Sequence, residues 1–280
     1  MKTAKKYKLT DETIQVFGHT LHRIEALKDF GDVKKGDEGG FIEKEDNLSQ
    51  SNYCWVYDDA MVFSNAMVYD DALVFGNAQV YDKARVFGEA MIFNDAVVCG
   101  DAEVWGNARV FGKAIVYDDA EVCGYAEVSE DALVYKDAKI CGNARVLGNA
   151  SICGNAKVWG NAEVWGNAKV YGNARVLGYA SICGNARVYG NARVYGRIEL
   201  VRDAKVADNS DYIVFKNWWS SGRYFTWTRS NNMWKVGCFY GTGEGLIAKA
   251  YKDSELSGRE YERVVKYVES ILKDNENDKR

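Results

Sequence analysis

The chain has 280 residues, 47% hydrophobic and 27% charged, with a formal net charge of −4, 27 glycines and no proline. Average usage of roughly 5% would have placed about fourteen prolines in a chain this long. A Pro-rich linker and a loop-rich enzyme built on proline turns are therefore disfavoured, and the near-balanced charge points to neither nucleic acid nor membrane.

The first residues, Met1 to Asp11, are too polar for a signal peptide, and no apolar run approaches the roughly 18 residues of a membrane span. Seven cysteines, none in a C-x-x-C pair, argue for reduced thiols. The expected location is the cytoplasm, with no membrane contact. Two histidines, His19 and His22, are all the chain has, which nearly removes any mechanism built on a histidine base or a histidine-rich metal site.

From Val56 to Asp211 a six-residue repeat runs for 26 hexads without insertion or deletion. The first place is always Val, Ile or Leu, and the fifth is Ala in 24 of 26, Ile198 and Ser210 being the exceptions. The third is Gly in 16, and the fourth is mostly Asn or Asp. In "NARVYG" the Ala and the following Val lie two apart and share the inward face of a short strand, while Arg and Tyr share the outward one. Gly followed by Asn supplies a corner, since both tolerate positive φ. A strand of about four residues cannot bury its own apolar face and must stack on copies of itself, which makes a β-solenoid.

This pattern resembles the hexapeptide-repeat proteins, and the resemblance implies a single-stranded left-handed parallel β-helix with three hexads per coil. Twenty-six hexads make eight to nine coils, a rod roughly 40 Å long at about 4.8 Å per stacked strand. The preceding segment, "KYKLTDETIQVFGHTLHRIEALKDFGDVKKGDEGGFIEKEDNLS", resembles the leader of YdcK-like hexapeptide-repeat proteins. These are frequent in phages and prophages, which implies a bacterial host cytosol. Residues 1–55 are read as a β cap, a hairpin and a strand over the first coil, with both histidines facing solvent.

Residues 212–280 lose the period. Tyr212–Trp218, Tyr224–Ser230 and Met233–Tyr240 predict a three-stranded meander joined at Ser220–Ser221–Gly222 and Asn231–Asn232. Ser257-x-x-Glu260 is a capping box, and Tyr261, Val264, Val265, Val268, Ile271 and Leu272 form one stripe of an amphipathic helix. The result is a small α+β cap with a charged, frayed tail after Lys273. Its Trp218, Trp219, Trp227 and Trp234 are read as core. "GTGEG" at Gly241–Gly245 lacks the lysine and spacing of a Walker loop and is read as a turn before a helix.

Resemblance to hexapeptide-repeat proteins brings acyltransferases and γ-type carbonic anhydrases into view. Acyl transfer needs a general base, usually His, and the anhydrase type needs three His on zinc. The repeats contain no histidine and no extruded loop, so the expectation is a protein that is not an enzyme, with no cofactor and no metal. Cys99, Cys123, Cys141, Cys153 and Cys183 all take outward places. Cys123 and Cys141 would stack on adjacent coils inside the disulfide window, yet the preferred reading is Cys as a small apolar side chain.

Sorting hexads by threes gives three outward faces. One carries Met61/Phe63, Gln79/Tyr81, Val97/Cys99, Ile115/Tyr117 and Leu133/Tyr135, an apolar patch larger than soluble monomers usually leave bare. A second copy, the C-terminal cap or a foreign partner would cover it, and self-association into a dimer or trimer is favoured. A second face starts apolar, from Trp55/Tyr57 to Met91/Phe93, and turns charged at Arg109. The third presents Lys139, Lys157, Arg175 and Arg193 in a row, with Trp159 and Tyr195 beside them. Stacked like charges are unfavourable, and the aromatics could stack on a base, so this stripe is read as a site for an anionic partner.

The expected function is a non-catalytic, self-associating interaction scaffold that binds a host or phage protein, in one version blocking host defence. Sequestration of a nucleotide or other small anionic ligand, between subunits or along the stripe, is the first alternative, and acyl transfer the second; nucleic acid is a further candidate partner.

Overall fold

The computed structural model describes residues 5–219 and 222–277. Alternation decides what happens between Trp55 and Val206: the chain winds into short parallel strands that stack every 18 residues into three sheets. The Val, Ile or Leu of the first place and the Ala of the fifth are fully buried coil after coil. Each enclosed Val or Ile contributes about 1.5–3 kcal/mol of apolar burial, and Ala keeps the narrow interior free of overpacking. The ladder between coils is made by the backbone, as where Val97 N–H donates to Ala114 O at 2.9 Å and Cys99 N–H to Val116 O at 3.0 Å. The solenoid makes about nine turns.

The strands are shorter than the four residues expected. Most are two residues long, and only Lys139–Gly142, Lys157–Gly160, Arg175–Gly178 and Arg193–Gly196 reach four. The corner also differs in detail, because only the third place takes a left-handed backbone. Gly142 lies at φ 75° and Gly160 at φ 78°, and Asp58, Asp70, Asp82 and Asp118 adopt the same region despite carrying a Cβ. Those aspartates offset the strain by accepting a hydrogen bond from the next coil, as Asp58 does from Gly76 N–H at 2.9 Å and Asp82 from Gly100 N–H at 3.1 Å. The Asn of the fourth place forms amide ladders instead, including Asn143 to Asn161 at 3.2 Å and Asn149 to Asn167 to Asn185 at 3.2 and 3.3 Å.

At the N-terminus, Tyr7–Val16 and His19–Ala26 form an antiparallel hairpin, and Glu38–Ile42 joins it to the solenoid strand Met61–Val62. The leader therefore extends one of the three sheets. Trp55, packed by Tyr7 and Phe30 with ring centroids 6.0 and 5.2 Å away, plugs the open end of the core. Lys6 is buried there with its ammonium donating to Cys54 O at 2.8 Å and Ser51 O at 3.2 Å.

The C-terminal meander has four strands, one more than expected: Tyr212–Lys216, Tyr224–Thr228, Met233–Val236 and Phe239–Gly241. Gly237, at φ 54°, splits the last apolar run in two. Two helices follow, Gly243–Asp253 and Glu255–Asn277. Thr242 caps the first by accepting from Gly245 N–H at 3.2 Å, so "GTGEG" is indeed a turn into a helix. Ser257 lies inside the second helix, and Ser254 Oγ accepts its N–H at 3.1 Å, so the expected capping box is not a helix start. Trp227, Trp234, Val265 and Val268 are core, whereas Trp218 is 82% exposed. Ser220 and Ser221 of the expected turn, and the end of the tail at 278–280, lie outside the described residues.

Candidate functional site

Register places every expected outward ladder where the hexad count put it. On the first face Val97, Ile115 and Leu133 are consecutive partners, and on the third Lys139, Lys157, Arg175 and Arg193 are.

The first face is only partly open. The hairpin tip folds over its beginning, with Phe17 6.4 Å from both Phe63 and Tyr81 and His19 5.4 Å from Phe63 between ring centroids. Phe63 is left 2% exposed, and Met61 and Tyr81 join the same cluster. Burial, with a hydrogen bond to the Cys99 thiol adding to it, pushes the Tyr81 phenol up to about 12. Met61, Phe63 and Tyr81 are thus committed within the chain, and the N-terminal hairpin covers them rather than the C-terminal cap. What stays open is Val97, Ile115, Tyr117, Leu133 and Tyr135, each half-buried by its neighbours along the stack. Tyr117 and Tyr135 stack at 5.0 Å with rings 3° from parallel.

The second face is a ladder of alternating charge. Glu127 lies between Arg109 and Arg145 at 3.5 and 3.3 Å, and Arg145 reaches on to Glu163 at 3.5 Å. Below them Phe75, Phe93 and Phe111 stack at 4.8 Å intervals.

The third face changes character along its length. Arg85 pairs with Glu103, and Lys139 with Glu121 at 2.6 Å, so Lys139 is not a free cation as expected. Beyond it Lys157, Arg175 and Arg193 stack in register, and none has an ion-pair partner among the described residues. Trp159 is 56% exposed and Tyr195 64%, both on this stretch. A groove of about 590 Å³ runs beside Lys139, Lys157 and Arg175, lined also by Asp137, Asn155, Asn173 and Asn191.

Three features escaped sequence reasoning. The first face ends in a second cation ladder, Lys169, Arg187 and Lys205, without ion-pair partners among the described residues, which an 18-residue count would have shown. A cleft of about 620 Å³ opens between the last coils and the C-terminal cap, where Arg197 lies 4.9 Å over the Tyr179 ring and Lys235 pairs with Glu199 at 2.8 Å. It joins residues about 60 positions apart, so no motif could announce it. Finally, His19 Nδ1 lies 2.9 Å from Glu43 Oε1, and His22 Nδ1 lies 3.0 Å from Thr10 O; the histidines are hydrogen-bonded rather than simply solvent-facing. Partial burial pushes the Glu43 carboxyl up, but hydrogen bonds from His19 and the Ser64 amide more than offset this and hold it below the usual range.

Cys123 and Cys141, 4.7 Å apart between Cα atoms, are disulfide-bonded. This corrects their reading as apolar substitutes, because stacked outward places one coil apart bring the thiols together. Among the described residues no group of His, Cys, Asp or Glu side chains is placed to hold a metal, and no helix is long and apolar enough to cross a membrane.

A family model for the YdcK β-solenoid repeat matches residues 138–154, 168–184 and 180–196. Over these residues the chain carries YdcK-like hexapeptide repeats. The matched YdcK repeats hold Lys139, Lys169, Arg175, Arg187 and Arg193, while Lys157 falls between them. A relative from Escherichia coli (strain K12), named uncharacterized acetyltransferase YdcK, is 36% identical over 73 residues. The match spans 22% of this chain and 22% of that relative's length.

Proposed function

We propose that this YdcK-like rod is a non-catalytic interaction module that self-associates through its open apolar strip and grips an acidic protein partner along Lys157, Arg175 and Arg193. The carrying observation is the unpaired register of those three cations. Lower on the same face, and from Arg109 to Glu163 on the second, opposite charges pair between coils. Like charges directly opposite are destabilising; an anionic partner supplies the compensation. Trp159 and Tyr195 add apolar contact at the rim.

A fluorescein-labelled peptide of alternating Glu and Tyr tests this by anisotropy. Binding is expected, weakened at least about tenfold by Lys157→Glu with Arg175→Glu, in line with loss of close charge pairs. An unchanged affinity in that variant, with circular dichroism intact, would remove the reading. Binding of ATP or a single-stranded oligonucleotide at the same residues, and not of the peptide, would move nucleotide sequestration ahead.

Acyl transfer is the second reading, favoured by the relative's name and by the His19–Glu43 contact. A carboxylate on Nδ1 leaves Nε2 to take a proton, the arrangement a general base requires. Free-thiol release from acetyl-CoA that disappears in His19→Ala and in Glu43→Gln would put this reading first; none is expected.

A further inference from the structure

Charge is segregated along the rod. Trp55 to Ala138 carries sixteen acidic and five basic residues, and Lys139 to Val206 three acidic and ten basic. The switch falls at mid-rod, so each molecule is acidic over one half and basic over the other.

On the first face this segregation has a centre. Leu133, Ile115 and Val97 lie one, two and three coils to one side of Ser151, and Lys169, Arg187 and Lys205 lie one, two and three coils to the other, all in one column. The corner beside this column repeats the pattern. Its basic half is a groove of about 460 Å³ holding Lys169, Arg187 and Lys205 against one acid, Asp203, and its acidic half one of about 530 Å³ holding Asp95, Glu130 and Asp131 against one cation, Lys113.

We propose that two copies pair antiparallel through this face, about a two-fold axis at Ser151; this rests on the self-association reading above and specifies its geometry. An axis lying in the face and across the rod keeps each column opposite itself and reverses its direction. The aliphatic stems of Lys169, Arg187 and Lys205 then lie on the partner's Leu133, Ile115 and Val97, with their heads free to reach its corner carboxylates. The neighbouring column sets Tyr171 and Tyr189 against Tyr135 and Tyr117. Such a contact is isologous and closes on itself. Parallel pairing would instead set cation on cation and acid on acid. The axis also leaves the coils under the hairpin tip, which carry Phe63 and Tyr81, beyond the partner's last solenoid coil and outside the coil-to-coil contact. The seven coils that remain, each presenting about 13 Å of strand at about 4.8 Å spacing, bury roughly 450 Å² per copy, the scale of a weak, salt-sensitive dimer.

Native mass spectrometry and light scattering at low salt are expected to show a dimer that dissociates as salt rises. Lys169→Glu with Arg187→Glu, and separately Asp95→Lys with Asp131→Lys, should each weaken it at least tenfold, and mixing the two variants should restore a heterodimer. A photo-crosslinker at Tyr189 is expected to capture partner peptides from the coils of Tyr117 and Tyr135. Capture of the partner's own Tyr189 coil, or no recovery on mixing, would overturn the antiparallel arrangement while a dimer lost in Ile115→Glu with Leu133→Glu left self-association standing. A monomer at all concentrations would overturn both.

Discussion

Lys157 and Arg175 stand directly over one another on neighbouring coils, with no carboxylate paired to either among the described residues. One coil earlier, Lys139 has the neighbour its charge calls for in Glu121. The contrast makes the stripe a place where the rod gives up stability, and that is measurable without knowing the partner.

Lys157→Glu is therefore expected to stabilise the rod. It replaces repulsion by a cross-strand pair with Arg175, worth about 0.2–1 kcal/mol. The urea midpoint should rise at low ionic strength, and the gain should shrink in concentrated salt as the charges are screened. A lower midpoint would mean that the ladder costs nothing.

The corners make a second prediction. At Gly142, φ is 75° and an added Cβ would sit 3.0 Å from Gly160 N. Gly142→Ala should cost about 1 kcal/mol or more, from the left-handed backbone and the close contact together. Gly142→Asp should cost less, because its carboxylate can accept the Gly160 N–H as Asp82 accepts that of Gly100. Thermal melts of the two variants side by side decide it, and equal losses would contradict the account.

Overpacking tests the interior. Ala120 is fully buried in the apolar core, and Ala120→Leu inserts a branched side chain where the cross-section is closed by valines. A loss of about 1–3 kcal/mol is expected, read from urea unfolding. A neutral result would show that the coils can expand.

Acid should loosen the hairpin tip. The folded Glu43 carboxyl titrates below its ordinary value. Its ionised form therefore supports the fold above the unfolded carboxyl range, and that support is lost as pH falls through the depressed value. Hydrogen exchange at Val16 to His19, corrected for intrinsic rate, should rise with acidification in the native chain. Glu43→Gln should lose most of that pH dependence, and retention of it would place the acid-sensitive contact elsewhere.

Much of the architecture was legible because the hexad repeats local rules. Val and Ala two apart, and a glycine or aspartate where the backbone turns left-handed, say the same thing in every coil. The 18-residue count then sets Ile115 over Leu133 and Arg175 under Arg193 with no further information. Where the period stops, legibility falls: the fourth strand of the C-terminal meander depends on a single residue, Gly237, taking positive φ.

The sequence by itself determined the coil, the register and the composition of each face, since these depend on alternation and spacing alone. Only the tertiary structure decided which outward residues remain available. Phe17 reaches Phe63 across some 46 positions, His19 meets Glu43, and the cap closes a cleft against Arg197. Such contacts depend on how a twisted hairpin or a meander lands on the rod, a matter of three-dimensional packing between segments that share no period.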